Sequence, residues 1–243
     1  MKNKGKIAIG AAIAGLFVSA TAAALPYIRV PFARPEKPDP TKRRIACVGD
    51  SVTFGSGVIR GREKKVWVTK LGQLLGPEFQ TLNLGIGSRT LQDEGDFPYR
   101  TDPKGYYPML EKLRPEAVLF MLGSNDTKPQ NWNSARFSWE LDDWIEVIKK
   151  IKTVTHIWLM IPPHAYPGRG QEVPPYDISE RILTEEVAPI IRKAARQARV
   201  GLINLQELTE DHPEWYSDGV HPNDYGNTRI AEFIYEKIRD VLK

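Results

Sequence analysis

In the stretch CVGDSVTFGSG, Cys47 to Gly57, a serine sits between an acid and a valine where an apolar run ends. A serine hydroxyl becomes a useful nucleophile only when a base removes its proton, so Ser51 directs attention to the histidines. There are four, His156, His164, His212 and His221. His156 heads an apolar strand-like run and reads as structural, and His164 lies in the proline-rich loop IPPHAYPGRGQEVPPYD. His212 has Thr209 three residues before it, where an orienting acid would stand. His221 lies in DGVHP, with Asp218 three residues earlier on a turn shaped by Gly219 and Pro222. That spacing lets a carboxylate accept from one ring nitrogen while the other faces a serine. Each piece alone has a bland reading: GDS can end a strand and cap a helix, and DGVHP can be a solvated turn.

Two further loops carry donors. NLGIGSRT, Asn83 to Thr90, is glycine-bearing and can bring main-chain amides close to a ligand, and GSND, Gly123 to Asp126, offers the side-chain amide of Asn125 to an oxyanion. Gly, Asn, Ser and Asp are ordinary turn residues. What raises these segments above ordinary turns is that each follows a strand-like run.

Those runs are Ile45 to Val48, Thr81 to Leu84, Ala117 to Leu122, His156 to Ile161 and Gly201 to Leu205. Between them lie segments of helical period: Val66 to Leu75, Tyr106 to Leu113, Phe137 to Ile151, a long Ile178 to Ala198 that Pro189 should bend or divide, and Tyr225 to Leu242. Alternation of this kind predicts βαβ units, a mostly parallel five-stranded sheet covered on both faces, and hence a three-layer α/β/α sandwich. In such a sheet the site lies beyond the carboxyl ends of the strands, where these motifs fall.

With 243 residues, 41% hydrophobic and 26% charged, the chain fits one soluble catalytic domain. Lys2, Lys4 and Lys6 precede any acidic residue and supply three of the four net positive charges, so no nucleic-acid footprint is expected. The lysine-led start and the apolar run from Ile7 predict that residues 1–24 form an export signal, the alternative being an uncleaved membrane anchor. Pro26, Pro31, Pro35, Pro38 and Pro40 predict an extended tether over 25–41, with the folded domain over 42–243 exported as periplasmic or secreted, or held outside the cytoplasm by the anchor. Cys47, the sole cysteine, can form no intramolecular disulfide.

Taken together, GDS at Gly49 to Ser51, the loop at Asn83, GSND at Gly123 and DGVHP at Asp218 resemble the blocks of the SGNH (GDSL-type) hydrolase family, in order and spacing, over Arg44 to Lys243. The resemblance implies the flavodoxin-like SGNH fold, with Ser51 as nucleophile, His221 as general base and acid, and Asp218 as its orienter. It implies an oxyanion hole of the Ser51 amide, the Asn125 side chain and one loop amide. The family's glycine falls here on Ser88, with Gly85 and Gly87 as alternatives. GSRTLQDEGDFPY and MLGSNDTKPQNW further resemble a subgroup of carbohydrate or sialate O-acetylesterases.

The expectation is therefore a cofactor-free esterase for short acyl, above all acetyl, esters of a small molecule or glycan. A lipid esterase or lysophospholipase with the same triad and a noncatalytic glycan binder are the alternatives. Arg89, Trp132 and His164 are candidate substrate contacts, with Tyr99, Arg100, Lys128, Asn131 and Arg169 on the same loops. Asp211, His212, Asp218, His221 and Asp224 show no recognised metal-ligand spacing, so no metal is expected.

Overall fold

A computed structural model describes residues 36–101 and 107–243. The expected export segment, and the expected tether up to residue 35, lie outside the described residues, as does Tyr106. No helix among the described residues is long and apolar enough to cross a membrane.

Five parallel strands form one sheet: β1 (Arg43–Gly49), β2 (Phe79–Gly85), β3 (Ala117–Met121), β4 (His156–Ile161) and β5 (Gly201–Asn204), in the order β2-β1-β3-β4-β5. The expected α/β/α sandwich is the observed architecture. The strands are continuous apolar runs because both faces are covered. Successive side chains alternate between faces. Ile45, Cys47, Leu119, Met121, Trp158 and Ile203 join one apolar layer with Trp67 and Leu71 of α1 (Trp67–Leu75) and with Ile230, Ile234 and Ile238 of the closing helix (Asp224–Ile238). Opposite, Phe120 packs on Trp144 of α2 (Ser134–Lys149), with ring centroids 5.1 Å apart. Burial of Trp67, Trp144 and Phe137 to below 2% exposure anchors these layers. Each such side chain contributes about 2–3 kcal/mol against leaving it in water.

The long segment that Pro189 was expected to bend or divide is divided into three. Glu180–Ile182 begins it, Leu183–Val187 forms a π-turn, and α3 (Ala188–Ala198) completes it with Pro189 in its first turn. Proline lacks the amide an uninterrupted helix needs and its ring crowds the carbonyl four residues back. The widened turn before Pro189 absorbs that conflict.

Pairing of Gly49 with Gly85 and with Met121 brings the ends of β1, β2 and β3 to one level, so the loops after them converge. Gly49 is required by close approach, since a Cβ there would lie 2.2 Å from Thr53 Oγ1 and 2.7 Å from the Met121 carbonyl oxygen. At the start of β2, Asp39 donates its amide to Gln80 Oε1 at 2.8 Å, and Gln80 Nε2 donates in return to the Lys37 carbonyl.

Candidate active site

Ser51 opens a single helical turn, Ser51–Phe54, directly after β1. Asp50 caps that turn by accepting the Val52 amide at 2.9 Å. A first-turn amide has no partner within its own helix, so the Ser51 N–H is not used up by the turn.

His221 arrives from a distant part of the chain on a tight loop. Tyr216 and Pro222 form an antiparallel bridge, Gly219 takes φ +95°, and the Ser217 amide donates to the His221 carbonyl. This loop is pressed against the chain that follows Ser51. Ser217 Oγ donates to the Gly57 carbonyl at 2.7 Å, and a Cβ on Gly57 would lie 2.2 Å from the Pro222 oxygen. The result is a connected chain of side chains. Ser51 Oγ is 2.9 Å from His221 Nε2, and His221 Nδ1 is 2.7 Å from Asp218 Oδ2.

The Asp218 carboxylate is saturated with donors. Its Oδ1 accepts the amides of Val220 and His221 at 3.0 and 2.8 Å, while Oδ2 accepts from His221 Nδ1 and from the Tyr176 hydroxyl at 2.9 Å. Partial burial raises its pKa, but the His221 ring and these amides outweigh burial and hold it well below the usual carboxylate range. An ionised Asp218 keeps the proton on Nδ1, which leaves the Nε2 lone pair free to accept from Ser51.

The loops after β1, β2 and β3 are joined beneath the site through two buried carboxyls, Asp50 and Asp126. Asn125 Nδ2 lies 3.3 Å from Asp50 Oδ2 and 3.2 Å from the Arg89 carbonyl. Its neighbour Asp126 accepts the amides of Leu91 and Gln92, both at 2.9 Å. Burial pushes Asp50 up to about 6 and Asp126 up to about 7, the amide bonds opposing it in both cases. A buried carboxyl with a raised pKa contributes stability that is complete below its unfolded value near 4 and is lost as pH rises through the folded value. Asp126→Asn removes this titration and turns one acceptor into a donor facing an amide. It is expected to destabilise the fold, by a margin that is larger at pH 5 than at pH 8 by ~1 kcal/mol or more. Urea unfolding of parent and variant at both pH values measures this.

Ser51, Gly87, Ser88, Asn125, Lys128, Tyr176 and His221 are among the residues that line one cleft of about 290 Å³. Of the three loop amides considered from the sequence, Gly85 donates to Asn83 Oδ1 at 2.9 Å, and Gly85 is not among the cleft residues. Gly87 and Ser88 both are, and Ser88 adopts φ +61°, a left-handed conformation that disfavours a residue with a Cβ by roughly 1–2 kcal/mol. Such an outlier marks a place where the fold sets a backbone group in a particular direction.

The profile of the GDSL-like lipase/acylhydrolase family matches residues 47–229, a span that holds every residue of this cleft. The chain belongs to that family. Membership places it among the carboxylic ester hydrolases of the SGNH type. This GDSL-family chain is 30% identical over 215 residues to an acetylxylan esterase of Xylanibacter ruminicola; the match takes in 81% of the chain and 43% of that longer protein. Among solved structures it superposes on the M. smegmatis aryl esterase with a TM-score of 0.67 at 23% identity, covering 82% of this chain and 99% of the other. A carbohydrate acetylesterase from Sinorhizobium meliloti gives a TM-score of 0.65 at 19% identity, covering 82% and 100%. At these identities the two structures speak for the shared fold.

The other sequence candidates lie in varied places. Lys128 lines the cleft, with its ammonium 3.5 Å from Asp96. Arg89 is 3% exposed, and it is its carbonyl that reaches Asn125. Trp132 is not among the cleft residues; its indole donates to Glu186 at 2.9 Å and its ring packs on Phe137. His164 likewise stands apart, with Nδ1 on Glu180 and its amide on Thr209. Tyr99 donates to the Leu84 carbonyl, Arg100 pairs with Asp143, Asn131 braces Asp96, and Arg169 is exposed. His212 stacks on Trp215 at 3.9 Å. Tyr176 and the two buried aspartates were missed by sequence reasoning. For Asp50 and Asp126 the available signal was their place inside GDS and GSND.

Proposed function

We propose that the chain is a serine esterase that removes short acyl groups, above all acetyl, from a carbohydrate by way of an acyl-enzyme. The observation that carries this reading is the unbroken Ser51–His221–Asp218 hydrogen-bond chain opening onto a small cleft. In the first half-reaction His221 Nε2 takes the Ser51 proton as Oγ bonds to the ester carbonyl carbon, and the carbonyl π electrons move onto oxygen. The resulting oxyanion is met by the Ser51 and Ser88 amides and by the Asn125 side chain, whose two existing bonds are long enough for a full negative charge to compete with them. Collapse breaks the bond to the alcohol, which leaves with the proton carried by His221. Water then repeats the sequence on the acyl-enzyme, releasing the acid and restoring Ser51.

A cleft of about 290 Å³ lies at the small end of ligand sites, which favours a short acyl group. The kinship with an acetylxylan esterase supports an acetylated sugar as the alcohol part. An acylated polysaccharide lies outside the cytoplasm, in keeping with the lysine-led apolar start of the chain as an export segment. The test is acetate release from acetylated xylan, acetylated sialic acid and aryl acetates, together with a p-nitrophenyl ester series of rising chain length. Turnover is expected to be highest with acetyl and to fall steadily beyond butyryl. A maximum at octanoyl or longer would favour a lipid esterase, and no hydrolysis of any ester would favour a glycan binder.

A further inference from the structure

The proline-rich loop after β4 returns to the site at Tyr176. The loop is fastened to the Asp218 turn by a 2.8 Å bond from the Tyr166 amide to the Gly219 carbonyl, and by a small apolar cluster of Ala165, Ile178 and Val220. Between these fixings, Tyr176 and Asp177 both take left-handed backbone angles, φ +64° and +59°. Two consecutive residues with side chains in that region are unfavourable. Burial does not compensate, since Tyr176 remains 55% exposed. What Tyr176 gains is directed contact: its hydroxyl donates to Asp218 Oδ2 at 2.9 Å, and its ring meets the His221 ring edge-on at 5.3 Å and 61°. Pro174 and Pro175, just before it, restrict the approach and limit the freedom lost in holding this pose.

We propose that Tyr176 is a positioning residue for the His221–Asp218 pair, acting from the solvent side of the cleft; this rests on the esterase reading above. Three of the four bonds to the Asp218 carboxylate come from its own turn, from the amides of Val220 and His221 and from the His221 ring. All three are local, and the Asp218 side chain is still 32% exposed. Among the described residues, the Tyr176 hydroxyl is the one side-chain donor that reaches this carboxylate from another loop. It shares Oδ2 with the imidazole, so it fixes the rotation of the carboxylate about its Cβ–Cγ bond. It also occupies the direction from which water would otherwise loosen the Asp218–His221 bond. The adjoining ring covers one side of the His221 ring.

Tyr176→Phe keeps the ring and removes only the hydroxyl. Its kcat on p-nitrophenyl acetate is expected to fall about five- to tenfold with KM and the thermal unfolding midpoint unchanged. In a D218N background the same change is expected to alter kcat less than twofold, because the hydroxyl acts through that carboxylate. A substrate-independent reading comes from proton NMR. The low-field Nδ1 proton of His221 is expected to exchange faster with water in Tyr176→Phe than in the parent. An unchanged kcat in Tyr176→Phe, or an equal loss in both backgrounds, would overturn the proposal, as would an unaltered Nδ1 proton. Absence of ester turnover by the parent chain would instead count against the esterase reading itself, and the NMR comparison would still decide the role of the hydroxyl.

Discussion

Ser51→Ala is expected to lower kcat by about 10⁴- to 10⁶-fold, and His221→Ala by a comparable factor, with KM changed far less. The two groups act as one unit. A hydroxyl 2.9 Å from Nε2 is a nucleophile only while the ring can take its proton, and the ring has no proton to take once the hydroxyl is gone. The double variant is therefore expected to be scarcely slower than either single one. What remains should come from binding and from the oxyanion donors, which neither substitution removes. Steady-state rates of the three variants on p-nitrophenyl acetate measure this, and losses that multiply in the double variant would contradict a shared role.

Asp218→Asn is expected to lower kcat by about 10³- to 10⁴-fold while the fold and the cleft survive. The Val220 and His221 amides both need an acceptor, so the oxygen of the new side chain must stay on them. Its NH₂ group is then turned toward His221 Nδ1, which can satisfy it only by giving up its proton. The ring is driven into the tautomer with the proton on Nε2, and that nitrogen can no longer accept from Ser51. In the parent the opposite holds, because the carboxylate is kept well below its usual pKa and stays ionised at neutral pH. A variant within tenfold of the parent would show that Asp218 is a turn-former and no more.

The sheet was legible because strands covered on both faces are written as unbroken apolar runs, and AVLFM and HIWLMI appear in the structure as β3 and β4. Ser51 and the Asp218–His221 spacing were legible for a related reason: each lies on a short turn directly beside a regular element, so local sequence sets its placement. Tyr176 was not, since its contact with Asp218 joins two loops 42 positions apart in the chain and depends on a backbone conformation no periodicity reports. Trp132 and His164 are not among the residues that line the cleft, for a complementary reason. A strand-end loop is long enough to turn a side chain either way, and here Glu186 and Glu180 hold them elsewhere. The π-turn before Pro189 shows a local rule foreseen in kind, a disturbed helix, whose form was decided by packing.

Ser51 is expected to be the group that becomes acylated, and intact-mass and peptide mass spectrometry after treatment with a fluorophosphonate shows where the chain is modified. One adduct per chain, on the peptide carrying Ser51, at a rate that collapses in His221→Ala, is the expected result. Labelling that persists undiminished in Ser51→Ala, or a parent chain that turns over esters yet takes up no label at Ser51, would contradict it.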